Sequence, residues 1–186
     1  SQLLDFCVHY CYGLGLNPHF LLSAFDMDSL KACKDMGLKS VKIPSVCNEK
    51  VGMLQYAILE FGTVYVSSGL SEQLALPDGC ITLLCTSIYP CPYECVNLKC
   101  LPNYDGISDH TEGWEVPVAA VAMGAKIVEK HLTLSRRNNG PDACCSLEPD
   151  EFADMVRRIR NVESAMGDGV KKIEKAERGL LWRKSI

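Results

Sequence analysis

The sequence predicts an α/β domain in which parallel strands are joined by helical crossovers. Two observations carry this. Short apolar runs rich in β-branched residues alternate with amphipathic stretches of helical period. Each run also ends in hydroxyl, lysine or histidine side chains, and strand ends are where a parallel α/β protein keeps its reactive groups. The chain has 186 residues and is 47% hydrophobic, enough for one domain (1–186) with a real core.

Phe20 to Phe25 reads as the first strand, and Ser29 to Met36 as a helix stopped by Gly37. Ser40 to Ser45 is the second strand. The next helix has Val51, Leu54, Ile58 and Phe61 on one face and stops at Gly62. Further strands follow at Thr63 to Ser67, Ile81 to Ser87, Gly106 to His110 and Ala125 to Leu132. The last helix opens at Pro149, buries a stripe of Phe152, Met155, Val156, Ile159, Val162 and Met166, and ends at Gly167. This order means parallel strands, and it leaves an open sheet and a (β/α)8 barrel both standing. Two crossovers, Gly69 to Gly79 and Cys91 to Asp105, are about as short as a crossover helix allows.

The strand ends carry Ser23; Lys42 and Ser45; Ser67 and Ser68; Thr86, Ser87 and Tyr89; Ser108, Asp109 and His110; and Glu129, Lys130 and His131. Hydroxyls around one lysine suit a phosphate, which needs several short donors and a fixed positive charge. His110 and His131 lie on consecutive strand ends and could share one ion, with water and substrate oxygens completing its shell. Singly, each group has a structural reading: serines form turns, and a lone histidine is commonly a satisfied structural group. The joint pattern is what points to a site.

Composition narrows the class. A net charge of −4 with scattered basic residues argues against nucleic acid, and the Lys171 to Lys175 cluster reads as a solvated face. Leu3 to Leu16 is broken by Asp5, His9, Tyr10 and Gly13, and no apolar run approaches the roughly 18 residues of a membrane span. The expectation is a soluble, cytoplasmic protein with no membrane partner. The eleven cysteines include no C-x-x-C pair, so they read as reduced thiols serving as small hydrophobes, ahead of a redox or metal cluster.

Several runs carry a family likeness. They are Gly106-Ile-Ser-Asp-His-Thr-Glu-Gly113, Ala119-Ala-Val-Ala-Met-Gly-Ala125, Val128-Glu-Lys-His-Leu-Thr133, Gly140-Pro-Asp142 and Ser146-Leu-Glu-Pro-Asp-Glu-Phe152. Upstream stand Lys42-Ile-Pro-Ser45 with Cys47-Asn48, Val66-Ser-Ser-Gly69 and Cys85-Thr-Ser-Ile-Tyr-Pro90. Together with the closing Arg183-Lys-Ser-Ile186, they resemble the N-acetylneuraminate (sialic acid) synthase family from about Leu22 onward.

The resemblance implies a (β/α)8 TIM barrel of which about six strand–helix units are present, without the first two strands or the family's C-terminal antifreeze-like domain. It implies metal-dependent condensation of phosphoenolpyruvate with an N-acylated hexosamine aldehyde, in a protein that is a homodimer at full length. His110 and His131 would be catalytic and hold the divalent metal, manganese or magnesium. Lys42, Ser45, Ser67 and Ser108, with Ser23, would bind phosphoenolpyruvate. Tyr89, Ser87 and Asp142 would contact the sugar, Asp142 also acting in catalysis. Two other readings stand beside this one. The first is an inactive family fragment acting as a binding or structural partner. The second is an aldolase that forms a Schiff base on Lys42.

Overall fold

The computed structural model describes residues 13–14, 19–72 and 75–185. The reading of Leu3 to Leu16 therefore falls almost wholly outside the described residues.

Six parallel strands form one sheet: β1 (Leu22–Ser23), β2 (Ser40–Ile43), β3 (Thr63–Ser67), β4 (Cys80–Cys85), β5 (Gly106–Asp109) and β6 (Ile127–Lys130). They lie in chain order from β1 to β6. That order decides between the two architectures left open by the sequence. A doubly wound sheet reverses its strand order at a switch point, whereas a barrel adds each strand beside the last.

The sheet also curls. Lys42 on β2 and Glu129 on β6 have three strands between them, yet their charged groups meet at 2.7 Å. On a flat sheet four inter-strand steps would separate them by roughly 19 Å. Among the described residues β1 pairs only with β2 and β6 only with β5, so the curl stays open.

The helices cover the outside unevenly. α1 (Met27–Asp35) connects β1 to β2, and α2 (Val51–Glu60) connects β2 to β3. The next two connections hold no α-helix among the described residues. Three-ten turns at Tyr93–Cys95 and Leu98–Asn103 fill the second of them, one of the two crossovers that are short in the sequence. α3 (Glu115–Ala122) connects β5 to β6, and α4 (Pro149–Met166) packs against it. A single turn, α5 (Lys175–Arg178), follows.

The core divides the same way. Leu30 and Cys33 of α1 and Met53, Leu54 and Ala57 of α2 pack on Val41, Ile43, Val64 and Val66 of the sheet. A second cluster joins Leu84 and Ile107 to Cys91, Val96 and Leu101 from the turns and to Val116 and Ala120 of α3.

Several boundaries differ from the sequence reading. The first strand is only Leu22–Ser23. The first helix begins at Met27 because Asp26 and Ser29 form a capping box, each side chain bonding the other's backbone N–H. The second strand ends at Ile43, where Pro44 turns the chain into a three-ten turn over Ser45–Cys47. The remaining strands stop one or two residues short of the predicted ends, β6 also starting two residues late and β4 one residue early, apart from Thr63–Ser67, which matches. In α2 the buried face is Met53, Leu54 and Ala57, and Val51 at the first position is 62% exposed. In α4 only Met155 of the predicted stripe is fully buried; Val156 and Met166 are exposed.

Nine described cysteines are free thiols, and Cys33, Cys47, Cys85, Cys91 and Cys145 are buried among them. No described helix is long and apolar enough to cross a membrane.

Candidate active site

The carboxyl ends of the strands open into a cavity of about 370 Å³. All ten side chains assigned a role from the sequence line it: Ser23, Lys42, Ser45, Ser67, Ser87, Tyr89, Ser108, His110, His131 and Asp142; the strand-end groups Ser68, Thr86, Asp109 and Lys130 do not. Strand geometry explains the convergence. Side chains at i and i+2 share a face, so Ser108 and His110 project inward together, and so do Glu129 and His131.

One edge of the cavity is rich in hydroxyls. Ser67 is 1% and Ser108 2% exposed, and the hydroxyl of each has no hydrogen-bond partner. A buried hydroxyl left unpaired costs free energy, and such groups in native structures call for a ligand or another explanation. Ser67 is held in place from behind. Asn48, itself buried, donates from Nδ2 to the carbonyls of Ser67 and Gly69, both at 3.0 Å. Gly69 leaves room where no side chain fits: a Cβ there would lie 2.3 Å from Ser87 Oγ and 2.7 Å from Ser45 Oγ.

Lys42 supplies the positive charge at this edge, bonded to Glu129 at 2.7 Å. Ser45 donates to Cys85 Sγ at 3.5 Å, and Ser87 Oγ lies 3.9 Å from the same sulfur.

Another part of the lining is built of rings. His110 and His131 have centroids 5.3 Å apart, and Tyr89 packs 4.1 Å from His110 and 6.0 Å from His131. His110 Nδ1 lies 2.9 Å from the Thr86 carbonyl, which can only accept, so in the neutral ring Nδ1 carries the proton and Nε2 keeps its lone pair. His131 Nδ1 faces Asp142 Oδ2 at 3.8 Å. Behind the rings, Lys130 bonds Asp109 at 2.7 Å with both side chains fully enclosed. This pair joins the residues that precede the two histidines and so locks β5 to β6 beside them.

The local field separates the two imidazoles. Burial works to lower the His110 pKa, but the Cys85 sulfur, the Thr86 carbonyl and Glu129 outweigh it and raise it above the ordinary value. At 3.9 Å the sulfur acts through its field, because the Nδ1 proton already goes to Thr86. Burial, with His110 as a like charge, holds His131 below the ordinary value and so neutral near pH 7. Burial alone would raise Cys85; its contacts with His110, Ser45 and Ser87 bring it down to about 7.

The donor set fits a divalent ion held by two imidazoles. A ring whose Nδ1–H is fixed on a carbonyl presents Nε2 to a metal, the usual outer-shell arrangement of a ligating histidine. No group of three or more His, Cys, Asp or Glu side chains forms a metal cage among the described residues. The remaining coordination positions would therefore come from water or substrate oxygens.

Two further lining residues, Glu129 and Cys85, had no assigned role: Glu129 stood only among the strand-end groups and Cys85 only within a motif. The signal was there: Glu129 stands two positions before His131, and Cys85 two before Ser87, each pair on one face of its strand.

Parallel strands added in chain order, with a polar cavity at their carboxyl ends, define the chain as part of a TIM-barrel-like α/β protein with its site in the usual place. A model of the NeuB family matches residues 6–171, and the chain belongs to that family. It is 39% identical over 183 residues to an N,N'-diacetyllegionaminic acid synthase of Campylobacter jejuni, covering 87% of this chain and 54% of that protein. It is 42% identical over 173 residues to the human N-acetylneuraminate-9-phosphate synthase, covering 83% and 48%. The chain thus spans about half the length of these curated relatives. Among solved structures, the sialic acid synthetase of Leptospira borgpetersenii superposes with a TM-score of 0.74 at 29% identity, over 88% of this chain and 63% of that one. The spore coat polysaccharide biosynthesis protein SpsE of Bacillus subtilis gives 0.78 at 26%, over 94% and 54%.

Proposed function

We propose that this chain carries the phosphoenolpyruvate and metal half-sites of a sialic-acid-type synthase. In the reaction, phosphoenolpyruvate condenses with an N-acylated hexosamine aldehyde resembling N-acetylmannosamine, giving a nonulosonic acid and phosphate. The observation that carries this reading is the pair of buried, unpartnered hydroxyls on Ser67 and Ser108, beside Lys42 in a cavity that also holds the two histidines.

The chain's own groups divide the work. Ser67 and Ser108 donate to the phosphoryl oxygens, Lys42 supplies the charge, and Ser45 and Ser23 extend the same rim. His110 and His131 hold a divalent ion, manganese or magnesium, which when bound acts as a Lewis acid toward the aldehyde oxygen. Tyr89, Ser87 and Asp142 orient the sugar, and Asp142 also faces the Nδ1 edge of His131. The enol carbon C3 of phosphoenolpyruvate bonds to the aldehyde carbon, water adds at the resulting cationic C2, and phosphate leaves with its bridging oxygen by C–O cleavage. Catalysis in this scheme is positioning and electrostatics. The carboxylate-bound ammonium of Lys42 suits a phosphate contact better than a Schiff base. In the complete assembly the partner would be a second copy of the same chain.

Calorimetric titration of phosphoenolpyruvate with manganese tests this. The double variant Ser67→Ala/Ser108→Ala is expected to weaken binding by about tenfold or more, and His131→Ala to remove the manganese response. A double variant that binds like wild type would overturn the reading.

A further inference from the structure

Among the described residues that line the cavity, Lys42 is the one cation of fixed charge, while Glu129 and Asp142 are carboxylates. Glu129 already bonds Lys42 at 2.7 Å, reaching it across the curl of the sheet from β6 to β2. Any anion that uses the ammonium must therefore displace this carboxylate or share the lysine with it. The competitor is covalently tethered, so its effective concentration at Lys42 is that of an intramolecular partner.

Charge then decides which ligands succeed. A monoanion exchanging with Glu129 replaces one unit charge by another and gains nothing from Lys42. A dianion gains the difference, because the Coulomb term scales with the product of the charges. The Ser67 and Ser108 hydroxyls add donors without adding charge, so they reward a ligand with several acceptor oxygens once it arrives.

We propose that Glu129 is an internal competitor for Lys42 that restricts the cavity's anion site to phosphate-like dianions and rejects simple carboxylates. It acts through Lys42 and is a positioning and specificity residue. The inference rests on the reading of the cavity as a phosphate site, and it adds a role for a side chain that reading leaves unused.

Isothermal titration of inorganic phosphate, above its second ionisation, and of acetate tests the proposal on wild type, Glu129→Gln, Glu129→Asp and Lys42→Met. Glu129→Gln is expected to bind phosphate roughly tenfold more tightly than wild type and to bind acetate measurably. Lys42→Met is expected to lose both ligands. Glu129→Asp, whose shorter side chain draws the carboxylate back, falls between wild type and Glu129→Gln and serves if the glutamine variant fails to fold. A residue that only braced the sheet would give a lower melting temperature and weaker binding, never tighter binding. Wild-type binding with equal or weaker affinity in the Glu129 variants would overturn the proposal, leaving Glu129 as a brace for Lys42. Absence of phosphate binding in both wild type and Glu129→Gln would instead overturn the phosphate-site reading, and the inference with it.

Discussion

The half of the sheet from β1 to β3 and the stretch from β4 to β5 solve one problem with different materials. Around β1 to β3, two amphipathic helices cover the sheet, and their buried faces interlock with Val41, Ile43, Val64 and Val66. Around β4 and β5 the cover is largely three-ten turns, pinned by Leu101 and Val96, with α3 taking over at the far edge. The polar rim nevertheless continues unbroken across both regions, from Ser23 and Lys42 to Ser108 and His110. The site is therefore set by the strands and the first residues beyond them. The outer layer covers the back of the sheet, with helices over β1 to β3 and largely with three-ten turns over β4 and β5.

The sharpest test of this comparison is a matched pair of core truncations. Leu54 on α2 and Leu101 in the turns are 2% and 1% exposed. Leu54→Ala and Leu101→Ala should each cost about 2–5 kcal/mol in denaturant unfolding. A cost below about 1 kcal/mol for Leu101→Ala would mean that the turns merely lie on the surface.

Smaller effects separate the two regions. The Asp26 carboxylate caps α1 by accepting from Ser29 N at 2.7 Å, and Asp105 clamps the turns to β4 by accepting from Thr82 N at 2.8 Å. Each alanine substitution should cost about 1 kcal/mol. Hydrogen exchange should quicken around α1 in Asp26→Ala and around β4 and β5 in Asp105→Ala. Identical exchange patterns would erase the distinction between the regions.

The smallest effect is electrostatic and lies in neither region. The Arg136 guanidinium, with the Glu148 backbone N–H, holds the Glu151 carboxyl down to about 2 from its ordinary 4.5. A depressed carboxyl stabilises the fold above its unfolded pKa, so this contribution is complete above about pH 4.5 and is lost as pH falls toward about 2. Because both side chains are about 40% exposed, screening limits it to roughly 0.5 kcal/mol. Glu151→Gln should flatten the stability profile in that window and lower stability near pH 7 by roughly that same 0.5 kcal/mol.

Legibility in the sequence followed the strength of each local signal. Thr63 to Ser67 was readable because β-branched residues run between Gly62 and Ser68, and α4 because Pro149 and Gly167 bracket it. Helix α3 was not read, since Glu115–Ala122 is apolar on nearly every face and shows no period. Val51 was misplaced because a first-turn residue can satisfy the periodic pattern while its side chain faces solvent. All ten candidate site residues line one cavity, because strand ends are fixed by topology. Glu129 was named at its strand end but given no role, because an acidic residue does not suggest a phosphate site until Lys42 is found across the curl. That contact depends on the sheet's curvature, which no local pattern encodes.

A crystal structure of the chain soaked with phosphoenolpyruvate and manganese tests the central claim most directly. The account predicts phosphoryl oxygens within hydrogen-bond distance of Ser67 Oγ, Ser108 Oγ and Lys42 Nζ, with the metal on His110 and His131. Phosphoenolpyruvate bound elsewhere, for example beside Trp114 and Arg136, with both serine hydroxyls still unpaired, would contradict it.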